Sequence, residues 1–420
     1  MRIALLTTEY PTEASFAGGL ASYLRRLALA LNGAGHDAEV FTLSERREEI
    51  FDGAVRVHRI APAPPPRAPL RRMPGFAAAA DYAETARPAW KLAAALHRRH
   101  REAPFDAVQA SSFRACGLIA ALRQQIPVVT RISSYEPLWR KFYQRPLTAR
   151  QRRLESAERW QLCSSAALYA PSRLLAETVK REEGFEVAVI EPPFEISPPP
   201  AGLPDAAPAL APQGYALFFG SLGYLKGCDR LIRVLPGLLE RNSDLKFLFA
   251  GPPRWVGGKL FFDALIRREL RDFIDRRVFI LPAQRPAALL QLVQNARFVV
   301  LPSKIDNLPN ACLEALALGR VVVASRGASF EQLIDDGVNG FLAAQDNDAE
   351  LAARMEHAWR LPLAERSRIG AAAARSIERF APARTIGPLL ELFGEAARRR
   401  RAPGCARRWQ TLRRLAPALK

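Results

Sequence analysis

Two carboxylates, Asp306 and Glu314, stand eight positions apart in "KIDNLPNACLEALALG" (residues 304–319), with Asn307, Leu308, Pro309 and Asn310 between them. The stretch follows "RFVVLPS", an apolar run read as a strand, and enters a helical pattern that stops at Gly319. That order puts it at the carboxyl edge of a parallel sheet, where open α/β folds bind their ligands. A proline suits a first helical turn, so Pro309 places Glu314 about one to two turns into the helix and Asp306 in the loop before it. Acids near a helix N-terminus are stabilised by its dipole, which gives both a structural reading. The chemical reading is a pair of carboxylates that flank a polyhydroxylated ligand, one on a sugar ring and one on a ribose. Backbone N–H groups between them would face negative charge.

Glycine-rich turns supply a second kind of chemistry. "GGL" (residues 18–20) lies between the first strand and the first helix, where missing side chains let backbone N–H groups approach a phosphate. "FFGSLGYLKGCDRL" (residues 218–231) repeats the order strand, glycine turn, Lys226, Gly227, helix. A lysine there is a point charge for a diphosphate, or simply a solvated side chain. "GAG" (residues 33–35) follows a helix and precedes a strand, the reverse of a phosphate turn, and reads as a helix C-cap. The "DND" of residues 346–348 precedes "AELAARM" and reads as a helix cap rather than a metal site. Five histidines and five scattered cysteines show no ligand spacing, so no metal and no cofactor is expected.

The elements that must hold these groups alternate. A βαβ unit fills the first 45 residues, and "FDAVQAS", "IPVVTRISS" and "AALYAPSRLLAETVKRE" continue it. After the proline-rich stretch between Glu195 and Gly214, the alternation restarts with "YALFFGS", "LKFLFAGPP", "RVFILP", "RFVVLPS", "RVVVAS" and "NGFLAA". Short runs rich in Val, Phe and Leu suit parallel sheets covered on both faces, so two doubly wound α/β domains are expected. Their bounds are 1–195 and 215–385, with a linker over 196–214. Three amphipathic helices close the chain; the last, within 386–420, can cross back to the first domain and ends in a basic tail. "APAPPPRAPLRRM" (residues 61–73) reads as a surface excursion.

Taken in order, these motifs are similar to the retaining glycosyltransferases of family 4, the E-x7-E type of glycosyltransferase group 1. "DNLPNACLE" with "EQLIDDGVNGFL" resembles that family's E-x7-E region, "GSLGYLKGCDRL" its diphosphate loop, and "GGLASYLRRLALALNGAGHDAEVFT" its amino-terminal glycine loop and helix. The resemblance implies the GT-B fold, two Rossmann-like domains facing a cleft. It implies a nucleotide-diphosphate sugar as donor, held without metal, and transfer with retention of anomeric configuration. Glu314 then matches the ribose-binding glutamate, Asp306 the sugar-side carboxylate and Lys226 the diphosphate lysine. Gly18 and Gly19 match the loop that closes over the phosphates, and Asn307, Leu308, Pro309 and Asn310 the backbone that meets the donor. The chain departs from the pattern in three places. Asp306 is one methylene shorter than Glu, Ser221 stands where many members carry a diphosphate arginine, and "DAVQASSFRA" lacks the family's first-domain histidine.

Charge narrows the partners. A net charge of +19 calls for something anionic, and nine cations follow Glu395 without an acid. No basic docking helix or aromatic platform accompanies them, so nucleic acid is not expected. A glycan or lipid-linked acceptor fits better, with the basic segments on an anionic membrane surface. Glu9 interrupts the first apolar run too early for a secretory leader and no run is long enough to cross a bilayer, so a cytoplasmic protein, peripheral at the membrane, is expected. Two other readings stay open: a non-catalytic or weakly active nucleotide-sugar-binding subunit, and a nucleotide-sugar epimerase on the same fold.

Overall fold

The computed structural model describes residues 1–13, 18–61, 76–142, 147–202, 214–256 and 260–401. Within these residues the chain divides into two compact units, Glu195–Arg379 and a first unit made of Met1–Phe194 with the chain from Phe380 onward. Most of the 61–73 excursion, residues 203–213 of the linker, residues 143–146 and the tail from 402 lie outside the described residues.

The first unit runs β1 (Arg2–Thr7), α1 (Gly19–Gly33), β2 (Asp37–Leu43), β3 (Glu48–Asp52), β4 (Val55–Ile60), α2 (Phe76–Glu102) and β5 (Ala107–Ser111). It continues α3 (Leu118–Arg123), β6 (Val128–Arg131), α4 (Glu136–Arg140), α5 (Ala149–Ser164), β7 (Ala167–Ala170), α6 (Arg173–Glu183) and β8 (Ala188–Val189). Its sheet has the order β3-β4-β2-β1-β5-β6-β7-β8, parallel except where β3 pairs antiparallel with β4. The core strands are apolar runs, buried on both faces, as parallel sheets sandwiched by helices require. The "GAG" turn closes α1 as a Schellman motif. His36 N–H donates to Leu31 O at 3.0 Å and Gly35, at φ +79°, takes the left-handed position.

The second unit runs β9 (Ala216–Phe219), α7 (Cys228–Arg241), β10 (Phe247–Ala250), a short antiparallel pair β11 (Trp255–Val256) and β12 (Leu260–Phe261), α8 (Phe262–Glu269), β13 (Val278–Leu281) and α9 (Pro286–Asn295). Then come β14 (Phe298–Leu301), α10 (Asn310–Ala317), β15 (Val322–Ser325), β16 (Phe341–Ala343), α11 (Asp348–Arg360) and α12 (Leu363–Ile377). Its sheet order is β13-β10-β9-β14-β15-β16, parallel throughout. The last helix, α13 (Pro382–Arg401), belongs to the first unit: Ile386, Leu389 and Phe393 enter the core formed by β1, β2 and α1.

Several elements carry no assignment from the sequence, the β3–β4 hairpin, α2 and α5 among them. The β3–β4 hairpin and α2 lie where the alternation thins, and α5 is so polar that its charges hide it. A capping box does mark its start: Thr148 accepts from Gln151 N–H at 3.2 Å while the Gln151 side chain accepts from Thr148 N–H at 2.9 Å. Two helix starts differ from expectation. Pro309 is the N-cap of α10, not a residue of its first turn, because its ψ of 111° is extended while its carbonyl accepts from Cys312 and Leu313. At α11 the cap is Asn347, whose side chain accepts from Glu350 N–H at 2.9 Å. Asp348 sits in the first helical turn and instead binds Arg230 and Arg233, at 2.8 and 2.7 Å.

Candidate functional site

In the second unit the chain leaves β9 toward β10 and β13, then returns to the other side of β9 with β14. The β9–β14 junction is thus the topological switch point, the place where open α/β sheets bind their ligands. The loops after these two strands carry the motifs singled out above.

The two loops are laced together. Lys304 N–H donates to Leu225 O at 2.9 Å. Gly227, at φ +76°, brings its Cα so close to Pro302 that an added Cβ would overlap the Pro302 carbonyl oxygen. Lys226 Nζ makes an ion pair with Asp306 Oδ2. The other carboxylate oxygen, Oδ1, accepts from Asn307 N–H at 3.0 Å, and Ser329 Oγ donates to Asp306 O at 3.0 Å. Asp306 is therefore held on both oxygens, which fixes a shorter acid without a longer side chain. Lys304 is engaged as well, with Asp229 at 3.0 Å and over the Tyr224 ring at 4.4 Å.

Asn307 is buried, Leu308 half-buried and Pro309 buried; Asn310 opens α10 and Glu314, half-buried, follows in its second turn. Buried Cys312, Leu313, Ala315 and Leu316 fix the rotation of this helix against the sheet. Ser221 begins the glycine turn after β9, and Arg254, in the loop after β10, donates Nη2 to its hydroxyl at 3.3 Å. Nothing in the sequence motifs pointed to Arg254; only the pairing of β9 with β10 brings it there.

In the first unit Gly18 is the N-cap of α1, extended, and Gly19 is its first residue. A Cβ on Gly18 would lie 3.2 Å from Glu9 Oε2. Burial raises the pKa of Glu9, and the charge of Arg114 partly offsets this. The turn after β5 is strained: Arg114 and Ala115 have φ of 56° and 50° without being glycine. Helix α5 buttresses it, with Glu158 Oε1 accepting from Arg114 N–H and Gln161 Oε1 from Gly117 N–H, both at 2.9 Å. Burial pushes Glu158 up to about 8, against which the Arg114 N–H works, while Glu136 and Glu155 add to the rise. On β5, Gln109 is buried and accepts from Tyr169 Oη at 2.6 Å. A separate cavity of about 440 Å³ lies over β2 to β4 and α2, walled by Phe41, His58, Arg59, Lys91 and Arg99, and no predicted site residue lines it. Among the described residues no three His, Cys, Asp or Glu side chains group as metal ligands.

Comparison with known proteins fits this architecture. The profile described as "Glycosyl transferases group 1" matches residues 207–376, and that of the "Glycosyl transferase 4-like domain" matches residues 18–192. The chain belongs to the group 1, family 4-like glycosyltransferases of GT-B fold. Among sequence relatives of this glycosyltransferase, the D-inositol 3-phosphate glycosyltransferase of Pseudarthrobacter chlorophenolicus is 26% identical over 95% of this chain and 96% of its own. The enzyme of the same name from Arthrobacter sp. is 26% identical, covering 90% of each chain. Sucrose-phosphate synthase from Thermosynechococcus elongatus shares the fold at 17% identity, with a TM-score of 0.70 over 94% of this chain and all of that one (100%). Anabaena HepE in complex with UDP-glucose does so at 18% identity, with a TM-score of 0.69 over 94% and 99%.

Proposed function

We propose that this glycosyltransferase moves a sugar from a nucleotide diphosphate to a glycan or lipid-linked acceptor, with retention at the anomeric carbon and without metal. The observation that carries the reading is the meeting of Lys226, Asp306 and the α10 turn at the β9–β14 switch point. In the reaction the acceptor oxygen bonds to the anomeric carbon, on the face the diphosphate leaves, as the bond to the diphosphate breaks and the acceptor hydroxyl proton passes to the departing phosphate oxygen. The electron pair leaves on the phosphate oxygen, where Lys226 offsets the growing charge. Glu314 grips the ribose, Asp306 the transferred ring, and backbone groups of Asn307, Leu308, Pro309 and Asn310 the donor. For Gly18 and Gly19, at the N-terminus of α1, the proposed role is backbone contact with a phosphate. The Lys226–Asp306 pair supports this division: each charge is already held in place before a donor arrives, so little reorganisation is needed.

Since HepE was crystallised with UDP-glucose, a UDP-sugar is the first donor to test. Glu314→Ala is expected to weaken donor binding about 10- to 100-fold, the worth of one or two hydrogen bonds to a charged group. Titration calorimetry with UDP, GDP and ADP checks it; binding and turnover equal to wild type would remove Glu314 from the site. Product analysis with and without acceptor extract separates transfer from epimerisation, which needs no acceptor.

The acceptor side of the proposal rests on the charge of +19 and the cation-rich sequence after Glu395. Each cation near an anionic membrane contributes about 1 kcal/mol. Sedimentation with phosphatidylserine or phosphatidylglycerol vesicles is expected at low salt and release at high salt. Sedimentation that is absent, or indifferent to salt, would leave a soluble acceptor.

A further inference from the structure

We infer that Arg254 is a second diphosphate-binding cation of this enzyme, reaching the phosphates from the loop after β10 across the serine at position 221. The inference rests on the donor reading above and deepens it. Its starting point is a contact: Arg254 Nη2 lies 3.3 Å from Ser221 Oγ, at the head of the glycine turn that ends in Lys226.

The backbone around Arg254 leaves its stem little choice of position. Leu222 N–H donates to Pro252 O at 2.9 Å, and Arg254 N–H donates back to Leu222 O at 2.8 Å, so the two loops continue the β9–β10 pairing past the sheet edge. Phe262 N–H donates to Arg254 O at 3.0 Å and ties down the other side. Two glycines permit this approach. At Gly251, with φ +148°, a Cβ would overlap the Gly220 carbonyl, and at Gly223 a Cβ would crowd Arg254 Cβ and Cγ, both at 3.3 Å. The side chain therefore crosses the turn over Gly223, three residues before Lys226.

Its electrostatic situation sets it apart from its neighbours. Lys226 is paired with Asp306, Lys304 with Asp229, and Arg230 and Arg233 with Asp348. Among the described residues no carboxylate pairs with Arg254, which is exposed and holds only a neutral hydroxyl. A guanidinium in that state keeps its charge available for an anion, and its planar fork suits two phosphate oxygens. Serine at 221 fits the same arrangement, since a long side chain there would occupy the space Arg254 crosses. The strand pairing thus lets an arginine on β10's loop do what an arginine within the β9 loop would do.

The test compares ligands that differ in phosphate. In Arg254→Met, affinity for UDP and for inorganic pyrophosphate is expected to fall about 10- to 100-fold, the worth of a charge-assisted hydrogen bond, with uridine affinity unchanged. Arg254→Lys should lose less. Ser221→Arg combined with Arg254→Met should restore UDP affinity, an outcome that a purely structural role for Arg254 would not produce. Equal loss for uridine and UDP, no loss at all, or failure of the double variant to recover would overturn the assignment. Lys226→Met separates the two levels of the argument. If it abolishes UDP binding while Arg254→Met does not, Arg254 is excluded and the donor site stands; if neither matters, the donor site itself is wrong.

Discussion

Gly227→Ala is expected to destabilise the second unit by about 2–5 kcal/mol and to lower sugar transfer at least ~100-fold. Two effects combine. A φ of +76° strains any residue with a Cβ, and the Cβ would meet the backbone carbonyl of Pro302, which has no rotamer by which to yield. Either the β9 loop or the β14 loop must move, and these loops carry Lys226 and Asp306. A displacement of ~1 Å at such a pair is enough for the loss of rate. Gly184→Ala is the control, since that glycine has φ +71° with no atom within 4 Å of the added Cβ. It should cost only about 1 kcal/mol and leave transfer unchanged. Urea denaturation and a donor-dependent assay on both variants decide the point; equal, mild effects would mean that the close approach to Pro302 is not what sets the loop.

Glu39→Gln is expected to destabilise the first unit by about 2–4 kcal/mol at neutral pH. The Glu39 side chain is 2% exposed and sits under His58 Nε2 at 2.7 Å, Arg99 Nε and Nη2 both at 3.0 Å, and Arg2. Burial alone would raise its pKa, but hydrogen bonds from His58, Arg99 and Arg2 outweigh burial and hold the carboxyl well below the usual carboxylate range. Removing the charge takes the buried partner from two arginines; Arg2 keeps Asp37, Arg99 keeps Glu102, and both retain 17% and 22% exposure, so part of the penalty is relieved. The sign of the pH dependence follows. A depressed pKa stabilises the fold above the unfolded value, near 4.5, and that contribution disappears as the pH falls toward the folded value. Wild type should therefore lose stability below about pH 4.5 more steeply than Glu39→Gln, whose site cannot titrate. Calorimetric melts from pH 7 to pH 3 test this, and parallel profiles for the two proteins would exclude Glu39 as an acid-sensitive support.

Much of this protein is legible in its residue order. Runs such as "ALFF", "FLFA", "FVVL" and "VVAS" are apolar without alternation because their strands are buried on both faces, so strand type and parallel class follow from composition. The turns after those strands are legible too. Gly227 beside Lys226, and Pro309 at the mouth of α10, mark those turns in the sequence, although what Gly227 must make room for, Pro302, lies on another loop. Where such local signals are weak, the elements go unseen: α5 is polar along its length, and its capping box is the one local mark of its start. Strand order is a different matter. That β14 returns to the far side of β9, and that β10 lies on the near side, depends on which sheet edge each crossover covers, a choice made by packing of the whole unit. The ion pair between Lys226 and Asp306, 80 positions apart, exists only because of that choice. So does the placement of Arg254 beside Ser221, 33 positions away, which no motif contains. Residue types and spacing determined the chemistry available to this chain; the parallel pairing of β10, β9 and β14 decided which of those groups meet, because contacts between distant loops are set by strand neighbours and not by distance along the chain.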